Sequence, residues 1–272
     1  MTAAHDSDGP QGIELLSTDR SDDGLTTAAI GLLAYASADI AHHVFGHGGA
    51  CLALGGRVVS LSSVFVDCTL RGTAIDLAGP LMNLALGSLA LIVLRLAPRA
   101  RAATRLFWIL VAAFNLFWFA MQLVFSVVTR TDDWAWAMLD FHIGAPSRYT
   151  AIVLGIALYL LTARLLAAPL AAYAKPRARA TRIVLIALGS ALLLASATVA
   201  FDHHTPHALL RSAIPQAILL PVGLLFVPER AAALATVSQA AARISFSVRW
   251  LIGAGLVAAV SIALLGPGFA IG

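Results

Sequence analysis

Ala41-His42-His43-Val44-Phe45-Gly46-His47-Gly48-Gly49-Ala50-Cys51-Leu52-Ala53-Leu54-Gly55-Gly56 closes an apolar run that begins at Leu25. Leu25 to Leu54 exceeds the roughly 20 apolar residues that cross a hydrocarbon core, so it reads as a membrane helix. Three histidines and Asp39 inside such a helix are costly at membrane depth, and that cost marks them as candidates for function.

The rest of the chain agrees with a membrane setting. It is 60% hydrophobic and 12% charged, too apolar for a soluble core to hide. Further spans are expected at Ala74 to Leu96, Phe107 to Val128, Ala151 to Ala172, Ile183 to Phe201, Ile214 to Val227 and Leu251 to Ile271. The sixth is short and holds Pro215 and Pro221, which suits a broken or re-entrant helix. The fold class is therefore an all-α polytopic membrane bundle of about seven spans, one domain over residues 25–272 without an internal repeat. Arg57 to Leu70, rich in Val, Ser and Thr between Gly55-Gly56 and Gly72, is expected to add one or two short strands after the first span.

Charge sets the orientation. Arg99, Arg101 and Arg105, then Lys175, Arg177, Arg179 and Arg182, then Arg230, Arg243 and Arg249 fall in alternate loops, and the intervening loops hold fewer cations. By the positive-inside rule the N-terminus is cytoplasmic. The net charge of +4 thus serves topology, and nucleic acid is set aside as a partner; the lipid bilayer is the expected surrounding. Residues 1–24 carry Asp6, Asp8, Glu14, Asp19, Asp22 and Asp23 against Arg20, an acidic cytoplasmic tail expected to be disordered. They lack the basic start and apolar middle of a secretory signal, so the tail is expected to stay attached. High Ala and Arg with a single Lys suggests a bacterial inner-membrane protein.

This topology brings the unusual residues to one side: the histidines of the first span, Thr131-Asp132-Asp133-Trp134 and Asp202-His203-His204-Thr205-Pro206-His207. In an α-helix residues four apart share a face, so His43 and His47 could ligate one metal, with Asp39 on the same stripe as a hydrogen-bond partner or ligand. His42 points elsewhere. Without metal, the same groups would satisfy one another or neighbouring helices. Cys51 and Cys68 allow one disulfide or two buried thiols. The aromatics Phe107, Trp108, Phe114, Phe117, Trp118 and Phe119 are expected to pack against lipid and helices. Leu234, Val237, Ala241, Ile244 and Val248 recur at helical spacing, which predicts an interfacial helix over Glu229 to Arg249.

His43-Val44-Phe45-Gly46-His47, the Gly55-Gly56-Arg57-Val58-Val59-Ser60-Leu61 segment and Ala78-Gly79-Pro80-Leu81-Met82-Asn83 together resemble the site-2 protease family of intramembrane zinc metallopeptidases, over about half the chain. That resemblance implies Zn2+ held by His43, His47 and an aspartate just past the third span. Asp133 is preferred over Asp132, with Asp39, Gly79, Pro80 and Asn83 supporting the site or touching substrate. It also implies a membrane protein substrate or partner helix, presented as an extended segment beside the metal. The family's glutamate, the general base of H-E-x-x-H, has no counterpart, because Val44 stands there. Asp39 and His42 are candidate substitute bases. Aligning His42-His43 with H-E instead puts His43 at the glutamate position, but leaves His42 and His47 five apart, off one face unless the helix bulges.

Two other classes fit the composition. A pseudoprotease or a transport or scaffold protein would keep the helices and line a path with Asp39, Asp76 and Asn83. A histidine-box di-iron oxidoreductase would draw on His42, His43, His47, His142, His203, His204 and His207, one short of the roughly eight nitrogen ligands such sites use.

Overall fold

A computed structural model describes residues 22–142, 144–202, 207–235 and 242–271. Among these, seven helical runs are long and apolar enough to cross a bilayer. They are α1 (Gly24–Ala53), α2 (Thr73–Leu96), α3 (Ala102–Thr129), α5 (Ser147–Tyr173, led in from Ala145), α6 (Arg177–Val199), α7 (Leu209–Leu234) and α8 (Val248–Leu265). A short α4 (Asp133–Asp140) follows α3. The chain is a multi-pass membrane protein built as a helical bundle.

Helix α3 is the axis of that bundle. Every residue from Ile109 to Ala120 is buried, so it has no lipid face, and it packs against α1, α2 and α5. Trp118, Phe114 and Phe117 are among the largest fully buried side chains, so these aromatics pack against helices rather than lipid. The outer helices keep apolar residues for the bilayer instead. On α8, Ile252, Leu256, Val260 and Leu264 recur every fourth residue and stay exposed, a stripe that hydrocarbon would cover.

The strand region after α1 is present as a hairpin, β1 (Val58–Leu61) and β2 (Val66–Cys68). A third strand, β3 (Phe269–Ile271), joins it in the antiparallel order β2-β1-β3. The seventh span thus stops at Leu265 rather than Ile271. Gly268, at φ 75°, turns the chain so that Phe269 pairs with Leu61 and Ile271 with Val58. A Cys51–Cys68 disulfide ties β2 to the end of α1.

Two other expectations change. The sixth span is one continuous run from Leu209, but its hydrogen-bonding shifts from π (Leu209–Ala213, Pro215–Leu219) to 3-10 (Leu220–Phe226) to α (Val227–Leu234). Pro215, Pro221 and Pro228 lack the N–H an unbroken α ladder needs, so the register changes while the direction persists. The interfacial helix over 229–249 is also replaced: α7 ends at Leu234 and Ala242 to Ser247 is not helical. Ile244 is fully buried, and its backbone binds the start of α1 in place of a helical turn. It donates to Asp22 Oδ1 at 2.9 Å and accepts from the Asp23 N–H at 2.9 Å. Val237 and Ala241 lie outside the described residues.

Asp22 and Asp23, expected in a disordered tail, belong to the bundle. Asp23 caps α1 by accepting the Thr26 N–H at 2.7 Å, and Asp22 receives both Arg179 Nε (2.6 Å) and Nη2 (2.7 Å). Burial pushes the Asp22 carboxyl up, but the Arg179 hydrogen bonds and the Ile244 N–H outweigh it and hold it below the usual carboxylate range. Residues 1–21 lie outside the described residues.

Candidate metal centre

The site begins with a change of helical register. Gly24–Asp39 is α-helical, Ile40–Gly48 is π-helical, and Gly49–Ala53 is α-helical again. A π-helix bonds i to i+5, so residues five apart come to lie one above the other. His42 and His47 therefore share a face here, and His43 turns away.

Their rings meet Asp133, the first residue of α4. His42 Nε2 lies 3.1 Å and His47 Nε2 3.3 Å from Asp133 Oδ2, and the two Nε2 atoms are 3.2 Å apart. All three residues are buried. Two of the three expected ligands, His47 and Asp133, are in this group, and the third member is His42 in place of His43. His43 Nδ1 instead pairs with Asp39 Oδ1 at 3.0 Å, one turn back.

The remaining ring nitrogens define what the three atoms are. His42 Nδ1 stands 2.6 Å from Asn83 Oδ1, and His47 Nδ1 2.7 Å from the Ile75 carbonyl; both oxygens accept, so each Nδ1 carries a proton. A neutral imidazole then presents a lone pair at Nε2. A protonated ring instead donates from Nε2 to Asp133 Oδ2, so the group of two ring nitrogens and one carboxylate oxygen is completed by a proton or by a metal ion. The three separations are short enough for one metal ion to reach all three atoms. The donor set, two imidazoles and a carboxylate, could hold a metal ion.

The surroundings fix the rings. Asn83, fully buried, donates Nδ2 to the Ala38 carbonyl at 3.1 Å and to Asn115 Oδ1 at 2.9 Å, so a chain of amides from α3 through α2 sets the His42 ring. Trp118 stacks on His42 with centroids 5.0 Å apart. Gly79 lets the α2 backbone reach the rings: a methyl there would stand 2.7 Å from His47 Cε1 and 2.9 Å from His42 Cε1. Gly46 meets Gly79 in the same contact, where a methyl would lie 2.5 Å from the Gly79 Cα. Pro80 follows inside α2 and is buried.

Asp132 takes no place in the acceptor group. It adopts φ 78° and ψ 174°, a conformation rare outside glycine and found at functional turns, and its Oδ1 accepts the Asp133 N–H at 3.0 Å. Burial and the adjacent Asp133 charge push the Asp132 carboxyl up. Burial pushes Asp133 up as well, but His47 and His42 outweigh it and hold its carboxyl below the usual carboxylate range.

A cavity of about 830 Å³ opens over the group. His42, His43, His47, Asp76 and Asp133 share it with Phe65 and Val66 of the hairpin, Trp136 of α4, and Arg211 and Gln216 of α7. Neither His142 nor His207 is among its described lining. His203 and His204 lie outside the described residues. Asn115 and Gln122 are the site residues that sequence reading passes over. Their signal was available, as uncharged polar groups inside the third apolar run, but the aromatics around them drew the reading to packing. The chain matches no protein-family model, no curated protein and no solved structure.

Proposed function

We propose that the protein is an intramembrane zinc metallopeptidase of the site-2 protease kind, in which His42, His47 and Asp133 hold the metal and His43 stands for the family's glutamate. The observation that carries this reading is the meeting of His42 and His47, brought to one face by a π-helical turn, with Asp133 at 3.1–3.3 Å. H-E-x-x-H places its histidines four apart; His42-His43-Val44-Phe45-Gly46-His47 is one residue longer, and the π stretch absorbs that residue. With this register His43 follows the first ligand, where a base belongs, and Val44 no longer occupies that position.

Zinc held there would acidify a bound water to a pKa of about 7 and polarise a peptide carbonyl. The protein's own residues supply the proton transfers. Asp39 accepts from His43 Nδ1, which fixes the tautomer and leaves Nε2 to face the cavity that His43 lines. His43 Nε2 takes a proton from the attacking water and returns it to the departing amine nitrogen, while Asp39 offsets the imidazolium charge between the two events. Asp39 thus acts through His43, and His42 serves as ligand rather than base. Phe65, Val66 and Trp136 give the cavity apolar walls suited to an extended segment of a membrane protein, with Asn83 committed to orienting His42.

The disulfide supports placing the cavity on the oxidising side of the membrane, as the loop charges do, with the N-terminus in the cytoplasm of a bacterial cell.

The test is cleavage of a membrane-segment substrate library by the full chain in lipid nanodiscs. The expected result is chelator-sensitive cleavage that falls about 10²- to 10⁴-fold in His43→Gln with zinc content retained. Cleavage unaffected by His43→Gln contradicts the assigned base, and zinc binding without any cleavage favours the pseudoprotease.

A further inference from the structure

Asp133 reaches the acceptor group from a turn, and a turn alone does not fix a carboxylate. Thr131 is exposed, Asp132 holds a strained φ, and α4 begins only at Asp133. What holds the carboxylate comes from the buried axis of the bundle. Gln122 on α3, 1% exposed, donates Nε2 to Asp133 Oδ2 at 2.8 Å and to Asp132 Oδ2 at 3.1 Å.

We propose that Gln122 is the positioning residue of the metal centre: it sets Asp133 Oδ2 against His42 and His47, and it binds Asp132 as a tether outside the ligand set. This rests on the metal reading above. One amide nitrogen, with two N–H groups, spans the two neighbouring carboxylates and fixes the turn that carries them. The other end of the amide argues that this is its role. Gln122 Oε1 is buried and has no hydrogen-bond partner among the described residues, a cost that packing alone would avoid with an apolar side chain. The side chain is held for its donor end. Gln122 also lies seven residues from Asn115 on α3, two turns along one face. One helix therefore supports ligands on two different elements, His42 through Asn83 and Asp133 directly.

The experiment measures zinc affinity by chelator competition on the full chain in nanodiscs, together with the Co2+ ligand-field spectrum. Gln122→Met keeps the side-chain length and helix propensity and removes both donors. It is expected to weaken zinc about 10- to 100-fold and to alter the Co2+ spectrum, while the melting temperature of the metal-free chain holds. Ser126→Ala, one turn further along α3 at a buried hydroxyl with no hydrogen-bond partner among the described residues, is expected to change none of the three. Gln122→Met binding zinc within twofold of the natural chain, with an unchanged spectrum, overturns the proposal. A natural chain that binds no stoichiometric zinc overturns the metal reading itself, which separates the two failures. If Gln122→Met does not fold, Gln122→Asn withdraws the amide by one methylene. It is expected to cost about 10-fold, and a loss of twofold or less is again contrary.

Discussion

Helix α1 has a half-buried charged cluster at its start and a buried polar cluster toward its end, and the two are built on different principles. At its start Asp22 meets Arg179 in a paired contact, and the guanidinium also donates to the Ala242 carbonyl. Anion and cation are both supplied by the chain, so that cluster is complete. Toward its end His42, His47 and Asp133 bring two ring nitrogens and a carboxylate oxygen within 3.3 Å of one another, a set that could hold a metal ion. The first cluster is a clasp for three segments; the second is a set of side chains that could hold a metal ion. Burial of polar groups alone therefore does not distinguish a structural site from a functional one. The balance of donors and acceptors does.

That contrast can be broken from either side. Arg179→Ala would leave the half-buried Asp22 without its paired guanidinium and is expected to destabilise the fold by about 2 kcal/mol, measured by thermal unfolding in lipid, while metal content stays at the natural level. A loss of metal in this variant would mean that the two ends are not independent. A smaller effect follows from pH. Because the Asp22 carboxyl is held below its ordinary value of about 3.9, its contribution to stability is complete above that value and is lost as pH falls through the lower folded value. Melting of the natural chain is therefore expected to drop below about pH 4 more steeply than that of Asp22→Asn. Parallel curves would remove Asp22 from the clasp.

The same two ends show what could be read from the residues alone. Seven spans and the hairpin were legible because apolar length and β-branched composition are local signals. The clasp was not, since Asp22, Arg179 and Ile244 are far apart in sequence and acidic residues near a terminus read as solvated tail. At the site, Asp39, His42, His43 and His47 stood out as ionisable groups inside a span, but the ligand pair depended on a register that α-helical spacing does not give. A π stretch has no residue signature of its own here. Once it exists, His42 and His43 exchange the roles that a four-residue spacing assigns them. Gln122 was visible as a polar residue in an apolar run, but its partnership was not, because its partners lie ten and eleven residues away around a strained turn.

That exchange of roles is the central claim, and metal content of single variants tests it most directly. Zinc per chain should be stoichiometric in the natural protein after mild purification. It should be lost in His42→Ala and in His47→Ala, and retained in His43→Ala. Zinc retained in His42→Ala and lost in His43→Ala would restore the α-helical ligand pair and contradict the account.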